Sequence, residues 1–209
     1  MKVRQLFSRI EELKRSEVGQ KVRQRIKEFE RLGQKGNEMW FSELCFCILT
    51  ANCSAGLGMK IQSMIGKGFI YLPEDVLAEK LKRLGYRFPV TRARFIAEAR
   101  QWLNIKDIII EKKPKTAREW LVRHVKGIGW KEASHFLRNV GYKDFAILDR
   151  HILRIMAECK LIPGIPRQLS RSLYLDYETR LERLAKKIGL SLAELDLYLW
   201  YIKTGKVLK

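Results

Sequence analysis

Hydrophobic positions recur at three- and four-residue intervals along most of the chain, which is typical of amphipathic helices. Over residues 3–32 the apolar side chains keep this spacing while charged residues fill the gaps, and Gly19 marks a candidate break. Residues 39–49 are apolar nearly all round, which predicts a buried central helix. No segment alternates over a strand-length run next to hairpin turn signals. The pattern therefore predicts an all-α protein of about ten helices.

Start and stop signals place several helix boundaries. Pro73, followed by two acidic residues, opens a helix that Gly85 closes. Thr91 is a candidate N-cap for the next helix. The Ser/Thr-x-x-Glu pattern of a capping box begins at Thr116 and again at Ser191, which predicts a helix start at each.

Charge gives the first indication of function. The 209 residues include 42 Lys and Arg against 23 Asp and Glu, a formal net charge of +19. The apolar fraction of 46% suffices for a core, and no apolar run approaches the ~18 residues that span a bilayer. The N-terminal segment is charged throughout, unlike a secretory signal. A protein this basic usually binds a polyanion, most often nucleic acid, although a solvated basic surface has the same composition.

The cysteines indicate a reducing compartment. Three of the four, Cys45, Cys47 and Cys53, lie in one apolar stretch, and Cys159 stands alone. Such sparse cysteines suit buried thiols in the cytoplasm better than a disulfide framework. They have neither a nearby fourth ligand nor zinc spacing, so we expect no metal site.

Residues 119–141 (EWLVRHVKGIGWKEASHFLRNVG) carry the strongest local signal. One helix is predicted to end before the two glycines and a second to begin after them, with the isoleucine between the glycines anchoring the turn in the core. The N–H groups of the turn and of the second helix's start would then point outward and bind a phosphate. Carbonyl groups of the turn are candidates to hold a monovalent cation against that phosphate. An ordinary helix–helix corner would also explain the glycines, but the basic context favours DNA binding by Lys126, Gly127, Ile128, Gly129 and Trp130.

This region resembles a known family. Residues 125–149 look like the helix-hairpin-helix and Asp signature of DNA base-excision glycosylases. Upstream, residues 48–61 (ILTANCSAGLGMKI) are similar to the family's loop that enters the duplex, and residues 85–99 to its Tyr-Arg-x-x-Tyr-Ile helix. Over residues 40–209 the chain, which ends in a lysine, most resembles the second, archaeal-type family of 8-oxoguanine DNA glycosylase/lyases.

The resemblance implies an all-α, two-lobed helix-hairpin-helix DNA glycosylase fold with the active site between the lobes. We expect residues 1–209 to form one such unit. The central helical lobe is expected at about 40–130, and the second lobe at 1–39 together with 131–209.

Lys131 is the candidate nucleophile. It lies in the first turn of the hairpin's second helix, where the helix dipole and the basic surroundings disfavour an ammonium group, and a neutral amine is nucleophilic. The resemblance implies that it attacks C1′ of the damaged nucleotide, expels the base, forms a Schiff base and allows strand cleavage by β-elimination. The alternative is that Lys131 only contacts a phosphate.

Asp149 is the candidate acid–base residue. It follows a short apolar run and precedes a helical pattern, which predicts an N-cap. The resemblance implies that the same carboxylate helps to deprotonate Lys131 and stabilises positive charge on the sugar. Capping and catalysis are compatible, and capping alone is the alternative.

Five residues are candidates to flip out or recognise the base. A base must leave the duplex before attack, and by resemblance Asn52 fills the gap, with a helix C-cap as its alternative. Phe88 and Trp200, together with Trp130, are candidates to stack on the flipped purine, although aromatic residues usually belong to a core. The resemblance implies that Lys209 helps to recognise 8-oxoguanine, since a terminal carboxylate accepts from N7–H and an ammonium favours O8. A frayed terminus is the alternative.

The predicted function is a bifunctional base-excision repair enzyme that flips out and excises 8-oxoguanine and then cleaves the abasic strand. Related endonuclease III and adenine glycosylases carry four C-terminal cysteines for an iron–sulfur cluster, but no cysteine follows Cys159, so we expect no cluster and no other cofactor. The alternatives are a glycosylase/lyase for oxidised pyrimidines and a non-enzymatic helix-hairpin-helix DNA-binding protein. We expect a cytoplasmic monomer that binds duplex DNA containing 8-oxoguanine or abasic sites, and no membrane.

Overall fold

A computed structural model describes residues 2–51 and 53–209. Within these residues the backbone forms thirteen α-helices, one short 3₁₀ helix over Arg100–Trp102 and no strand, which confirms the predicted all-α class. None of the helices in the described part of the chain is long and apolar enough to cross a membrane. The helices are α1 (Val3–Arg15), α2 (Glu17–Gly33), α3 (Asn37–Thr50), α4 (Ala55–Ile65), α5 (Gly68–Tyr71), α6 (Glu74–Arg83), α7 (Pro89–Ala99), α8 (Ile105–Ile110), α9 (Pro114–His124), α10 (Trp130–Asn139), α11 (Arg150–Glu158), α12 (Arg171–Lys187) and α13 (Leu192–Thr204).

The chain divides into two compact units. The first unit comprises the residues up to Glu30 and those from Gly141 to Lys209, and the second comprises Arg31–Val140. The lobe boundaries predicted from the sequence, near 39 and 130, differ from these. The reason is that α10 packs against α3 and α9, so the whole hairpin helix belongs with the residues that precede it.

The second unit is built around α3, which is buried along most of its length as predicted. A buried polar cluster ties α3 to α10 and α4: Glu43 Oε1 accepts from Asn139 Nδ2 at 2.6 Å, and Glu43 Oε2 accepts from Gln62 Nε2 at 3.1 Å. Arg138 in turn donates to Asn139 Oδ1. A buried charge is costly unless it is paired and hydrogen-bonded. Because Glu43 finds its partner on α10, this cluster holds α10 against α3.

The break between the first two helices lies at Ser16, and the prediction of a break at Gly19 is wrong. Ser16 Oγ accepts from the Val18 N–H at 3.2 Å, which gives the new helix its start. Gly19 lies inside α2, where a Cβ would collide with the Lys14 carbonyl oxygen. The glycine therefore allows a close approach of chain segments.

Proline sets the start of two helices for which a threonine cap was predicted. Helix α7 begins at Pro89 and α9 begins at Pro114, so Thr91 and Thr116 lie inside the first turn and both predicted caps are wrong. Proline suits the first helical position because its φ is already helical and that position needs no N–H donor.

The other predicted boundaries are confirmed. Helix α6 follows Pro73, and Gly85 after its end has a φ of +79°. At the start of α13, Ser191 Oγ accepts from the Glu194 N–H at 3.2 Å and Glu194 Oε2 accepts from the Ser191 N–H at 2.9 Å. This is the reciprocal capping box that the sequence indicated.

Candidate active site

The glycine hairpin is present where the sequence predicted it, with its second helix beginning at Trp130 as expected and both helices ending one or two residues earlier than expected. Helix α9 ends at His124 and α10 begins at Trp130. Gly127 has a φ of +83°, and a Cβ at this position would lie 2.7 Å from Phe95 Cδ2. Ile128 is only 5% exposed and anchors the turn in the core, as expected. A side chain at position 127 would thus be strained twice, by conformation and by contact.

Two N–H groups of the turn are already occupied within the protein. The Ile128 N–H donates to the Val125 carbonyl at 3.2 Å, and the Gly129 N–H donates to Glu132 Oε2 at 3.2 Å. The expectation that the N–H groups of the turn point freely outward is therefore wrong for these residues. The first turn of α10 lies at the positive end of the helix, where an anion is favoured.

Lys131 contacts a carboxylate. Its Nζ lies 3.1 Å from Glu132 Oε1, and the side chains of Lys131 and Glu132 are 26% and 14% exposed. We expected the helix dipole and basic neighbours around this amine, and the one carboxylate that the resemblance implied for it was that of Asp149. An amine attacks carbon only through a free electron pair. Lys131 must therefore either leave Glu132 or pass on its extra proton before it reacts.

Arg118 on α9 braces the first turn of α10. This residue is 1% exposed, its Cζ lies 4.9 Å from the centre of the Trp130 ring, and its Nη1 donates to Ser134 Oγ at 3.3 Å. Ser134 Oγ donates in turn to the Trp130 carbonyl at 2.9 Å. These contacts favour a packing role for Trp130 over stacking on a flipped base.

Lys126 lies at the exposed edge of the hairpin. Its Nζ is 2.8 Å from Glu98 Oε2, and its side chain is 66% exposed. A surface ion pair of this kind is weak, so the lysine can exchange the carboxylate for a phosphate at little cost.

Phe88 precedes α7 and is 39% exposed, so it is not a core residue. The Arg87 guanidinium lies over its ring at 4.9 Å. Two neighbouring side chains hold the end of α3: Tyr86 Oη donates to the Leu49 carbonyl at 2.7 Å, and Arg92 Nη2 donates to the Ala51 carbonyl at 3.2 Å. Asn52, the residue that follows, lies outside the described residues, and its gap-filling role stays a prediction.

Asp149, in the first unit, caps α11 as predicted. Its Oδ1 accepts from the N–H groups of His151 and Ile152, both at 2.8 Å. Because Oδ1 makes both bonds, Oδ2 takes no part in the cap.

Trp200 and Lys209 also lie in the first unit. The Trp200 ring packs edge to face against His151, with centroids 4.8 Å apart, and its buried Nε1 has no hydrogen-bond partner among the described residues. Gly205, with a φ of +70°, ends α13. Lys209 is half-buried, which disfavours a frayed terminus.

Three of the four cysteines are buried, as the sequence predicted for thiols in an apolar stretch. Cys45, Cys47 and Cys159 are buried, Cys53 is half-buried, and all four are free. Burial raises the pKa of the Cys45 and Cys53 thiols above their ordinary values. Within the described residues, no group of three or more His, Cys, Asp or Glu side chains could hold a metal ion.

Glu132 is the residue of this site that the sequence analysis missed. A signal for it was available, since Glu132 stands three residues after the N-cap Gly129 at the acidic position of a capping box. A glycine has no side chain to complete the box, which hid the pattern.

A basic, all-helical chain with this glycine turn is a helix-hairpin-helix protein of the DNA-binding class. A profile of the family described as 8-oxoguanine DNA glycosylase matches residues 22–190. The 8-oxoguanine DNA glycosylase/AP lyase of Methanocaldococcus jannaschii is 56% identical over 205 residues, which cover 98% of this chain and 99% of the relative. That of Korarchaeum cryptofilum is 47% identical over the full length of both chains. The chain belongs to the 8-oxoguanine DNA glycosylase/AP lyase family.

Comparison with solved structures leads to the same family. The crystal structure of the M. jannaschii 8-oxoguanine glycosylase/lyase in complex with a 15mer DNA containing 8-oxoguanine superposes with a TM-score of 0.97 at 55% identity, covering 98% of this chain and 100% of the other. The 8-oxoguanine DNA glycosylase of Thermotoga maritima gives a TM-score of 0.95 at 48% identity, covering 99% of this chain and 100% of the other. The predicted all-α DNA glycosylase fold is thereby confirmed.

Proposed function

We propose that this protein excises 8-oxoguanine from duplex DNA and then cleaves the abasic strand, with Lys131 as nucleophile and Asp149 as its acid–base partner. The observation that carries the activity is the 56% identity to an 8-oxoguanine DNA glycosylase/AP lyase over nearly all of both chains. The residue roles are supported by the place of Lys131 in the first turn of α10, directly after the glycine turn.

The chemistry begins with the neutral Lys131 amine. Its Nζ attacks C1′ of the damaged nucleotide, the C1′–N9 bond breaks, and the bonding electron pair leaves with the base, which takes up a proton. Asp149 accepts the proton that the attacking nitrogen loses, and its negative charge stabilises the developing positive charge on the sugar.

The lyase step follows from the covalent bond. Opening of the sugar ring converts the C1′–Nζ bond to a Schiff base, whose positive charge acidifies the hydrogens on C2′. Loss of one of these protons expels the 3′ phosphate by β-elimination. Water then hydrolyses the Schiff base and regenerates the Lys131 amine.

Recognition of the oxidised base is assigned to Lys209, with Phe88 and Trp200 as stacking partners. The partial burial of Lys209 supports this role. A carboxylate accepts from N7–H, which 8-oxoguanine has and guanine lacks, and an ammonium favours O8.

The partner is duplex DNA that contains 8-oxoguanine or an abasic site. The 15mer complex of the M. jannaschii relative supports this partner, as does the net charge of +19. The DNA substrate and the sparse, mostly buried cysteines support a location in the cytoplasm, and we expect the enzyme to act there as a monomer.

Borohydride trapping tests the proposal. Wild-type protein incubated with an 8-oxoguanine duplex and borohydride should give a covalent complex, and Lys131→Gln should give neither complex nor base release. Lys126→Gln is the matched control on the same hairpin: it should weaken binding but still trap at saturating DNA.

Repeating the trapping with different damaged duplexes distinguishes the candidate functions. Duplexes carrying an oxidised pyrimidine should trap far less than 8-oxoguanine, and the opposite order would make the protein a pyrimidine-specific glycosylase/lyase. A wild-type protein that binds both duplexes and traps neither would be a non-enzymatic DNA-binding protein. Continued trapping by Lys131→Gln would show that another amine is the nucleophile.

A further inference from the structure

The carboxylate of Glu132 makes two contacts with functional parts of the hairpin. Its Oε2 accepts from the Gly129 N–H at 3.2 Å, and its Oε1 lies 3.1 Å from Lys131 Nζ. The side chain is 14% exposed, so these contacts are largely shielded from water. One rigid group therefore connects the end of the glycine turn with the amine of the candidate nucleophile.

We propose that Glu132 is a positioning residue, whose carboxylate fixes the Lys131 amine relative to the glycine turn so that nucleophile and bound strand meet in one geometry. The inference rests on the proposed role of Lys131. A lysine side chain is long and flexible, and without a partner its amine would sample many positions. Holding it near its point of attack is worth a large factor in rate, because small misplacements of a reacting group are costly.

The charge of Glu132 argues against a role in holding DNA. A carboxylate in the first turn of α10 repels the phosphate that the positive helix end attracts. DNA affinity alone would thus favour a neutral residue here. The Glu132 carboxylate therefore weakens DNA binding while it holds the amine. Its removal should slow excision without lowering the affinity for DNA.

A second ion pair on the same hairpin provides the matched control. Lys126 Nζ lies 2.8 Å from Glu98 Oε2, but Lys126 is 66% exposed and Glu98 is 34% exposed. Removing either Glu98 or Glu132 takes one carboxylate away from a hairpin lysine. Only Glu132 contacts the nucleophile, so only its loss should slow the chemistry.

The experiment compares Glu132→Gln, Glu132→Asp and Glu98→Gln in the full-length protein. Glu132→Gln keeps the shape and one acceptor for the Gly129 N–H but cannot also hold an ammonium. We expect single-turnover excision at saturating 8-oxoguanine duplex to fall about tenfold to a hundredfold, with a dissociation constant for DNA that is unchanged or lower. Glu132→Asp, which keeps the charge on a shorter side chain, should recover part of the rate. Glu98→Gln should excise within about twofold of wild type.

Two outcomes would overturn the inference. Excision by Glu132→Gln at the wild-type rate would show that the carboxylate does not position the amine. A parallel loss of DNA affinity, excision and melting temperature would show that Glu132 only caps α10. Lys131→Gln is tested separately. If Lys131→Gln still forms the trapped complex, Lys131 is not the nucleophile. If Lys131→Gln does not trap but Glu132→Gln excises at the normal rate, Lys131 remains the nucleophile and only the role of Glu132 is contradicted.

Discussion

At the scale of single residues, the candidate catalytic groups occupy the starts of two helices. Lys131 is the second residue of α10, and Asp149 is the N-cap of α11. Asp149 Oδ1 accepts from two N–H groups at the positive end of α11. Lys131 instead contacts the neighbouring carboxylate of Glu132.

Two substitutions separate capping from catalysis at Asp149. Asp149→Asn should preserve the cap, because Asn and Asp are equally good N-caps, whereas Asp149→Ala should lower the free energy of unfolding by about 1 kcal/mol. Both should slow single-turnover excision about a hundredfold or more, since both remove the proton acceptor. Urea unfolding measures the first effect, and excision kinetics at saturating DNA measure the second. Full turnover by Asp149→Asn would reduce the residue to a cap.

The assignment of Lys209 to base recognition predicts an effect on the selectivity for 8-oxoguanine over guanine. Deleting Lys209 removes the ammonium and moves the terminal carboxylate back by one residue, which we estimate at about 3.5 Å. The ratio of excision rates for 8-oxoguanine and guanine should therefore fall more than the affinity for duplex DNA. Lys206→Gln is the control, because it removes a nearby exposed lysine and leaves the terminus in place. An equal loss of selectivity and affinity would contradict the assignment.

At the scale of elements, the hairpin depends on one glycine in particular. Gly127 has a positive φ and faces the Phe95 ring, whereas Gly129 has a φ of −97°, which any residue adopts. The two glycines therefore have different roles: the first allows the turn, and the second begins α10.

Gly127→Ala tests this difference. The left-handed conformation alone should cost about 1–2 kcal/mol for a residue with a Cβ, and the contact with Phe95 adds to it. We expect a lower free energy of unfolding and weaker DNA binding, measured by denaturant titration and fluorescence anisotropy. Gly36→Ala, where a Cβ would meet nothing within 4 Å, is the matched control and should change both much less. Equal effects of the two substitutions would show that the turn tolerates a side chain.

Helix starts show which local signals prevail. Where proline and a capping threonine compete, as at Pro89 and Pro114, the helix begins at the proline. Where no proline precedes the cap, as at Ser191, the capping box forms as the sequence indicates. Proline fixes its own φ at no further entropic cost, so it decides a boundary that a side-chain hydrogen bond only favours.

At the scale of the whole molecule, the net charge of +19 sets the response to salt. Binding to duplex DNA should weaken linearly on a plot of log affinity against log salt concentration, because phosphate contacts release counterions. Lys126→Gln should reduce the magnitude of that slope by about one. Anisotropy titrations from low to moderate salt measure both slopes. An unchanged slope would show that Lys126 does not contact a phosphate.

The sequence by itself determined the all-α class, the position of the hairpin and the caps at Asp149 and Ser191, and the family resemblance drawn from it identified the 8-oxoguanine activity. These features depend on neighbouring residues, whose φ angles and hydrogen bonds are settled within one or two turns. Only the tertiary structure decided that Glu132 takes the Gly129 N–H and contacts Lys131, since a side-chain rotamer is selected by everything packed around it. Likewise the buried Glu43–Asn139 contact, which seats α10 against α3, joins residues far apart in sequence. No local pattern encodes such a contact, because its energy arises only when the helices have packed.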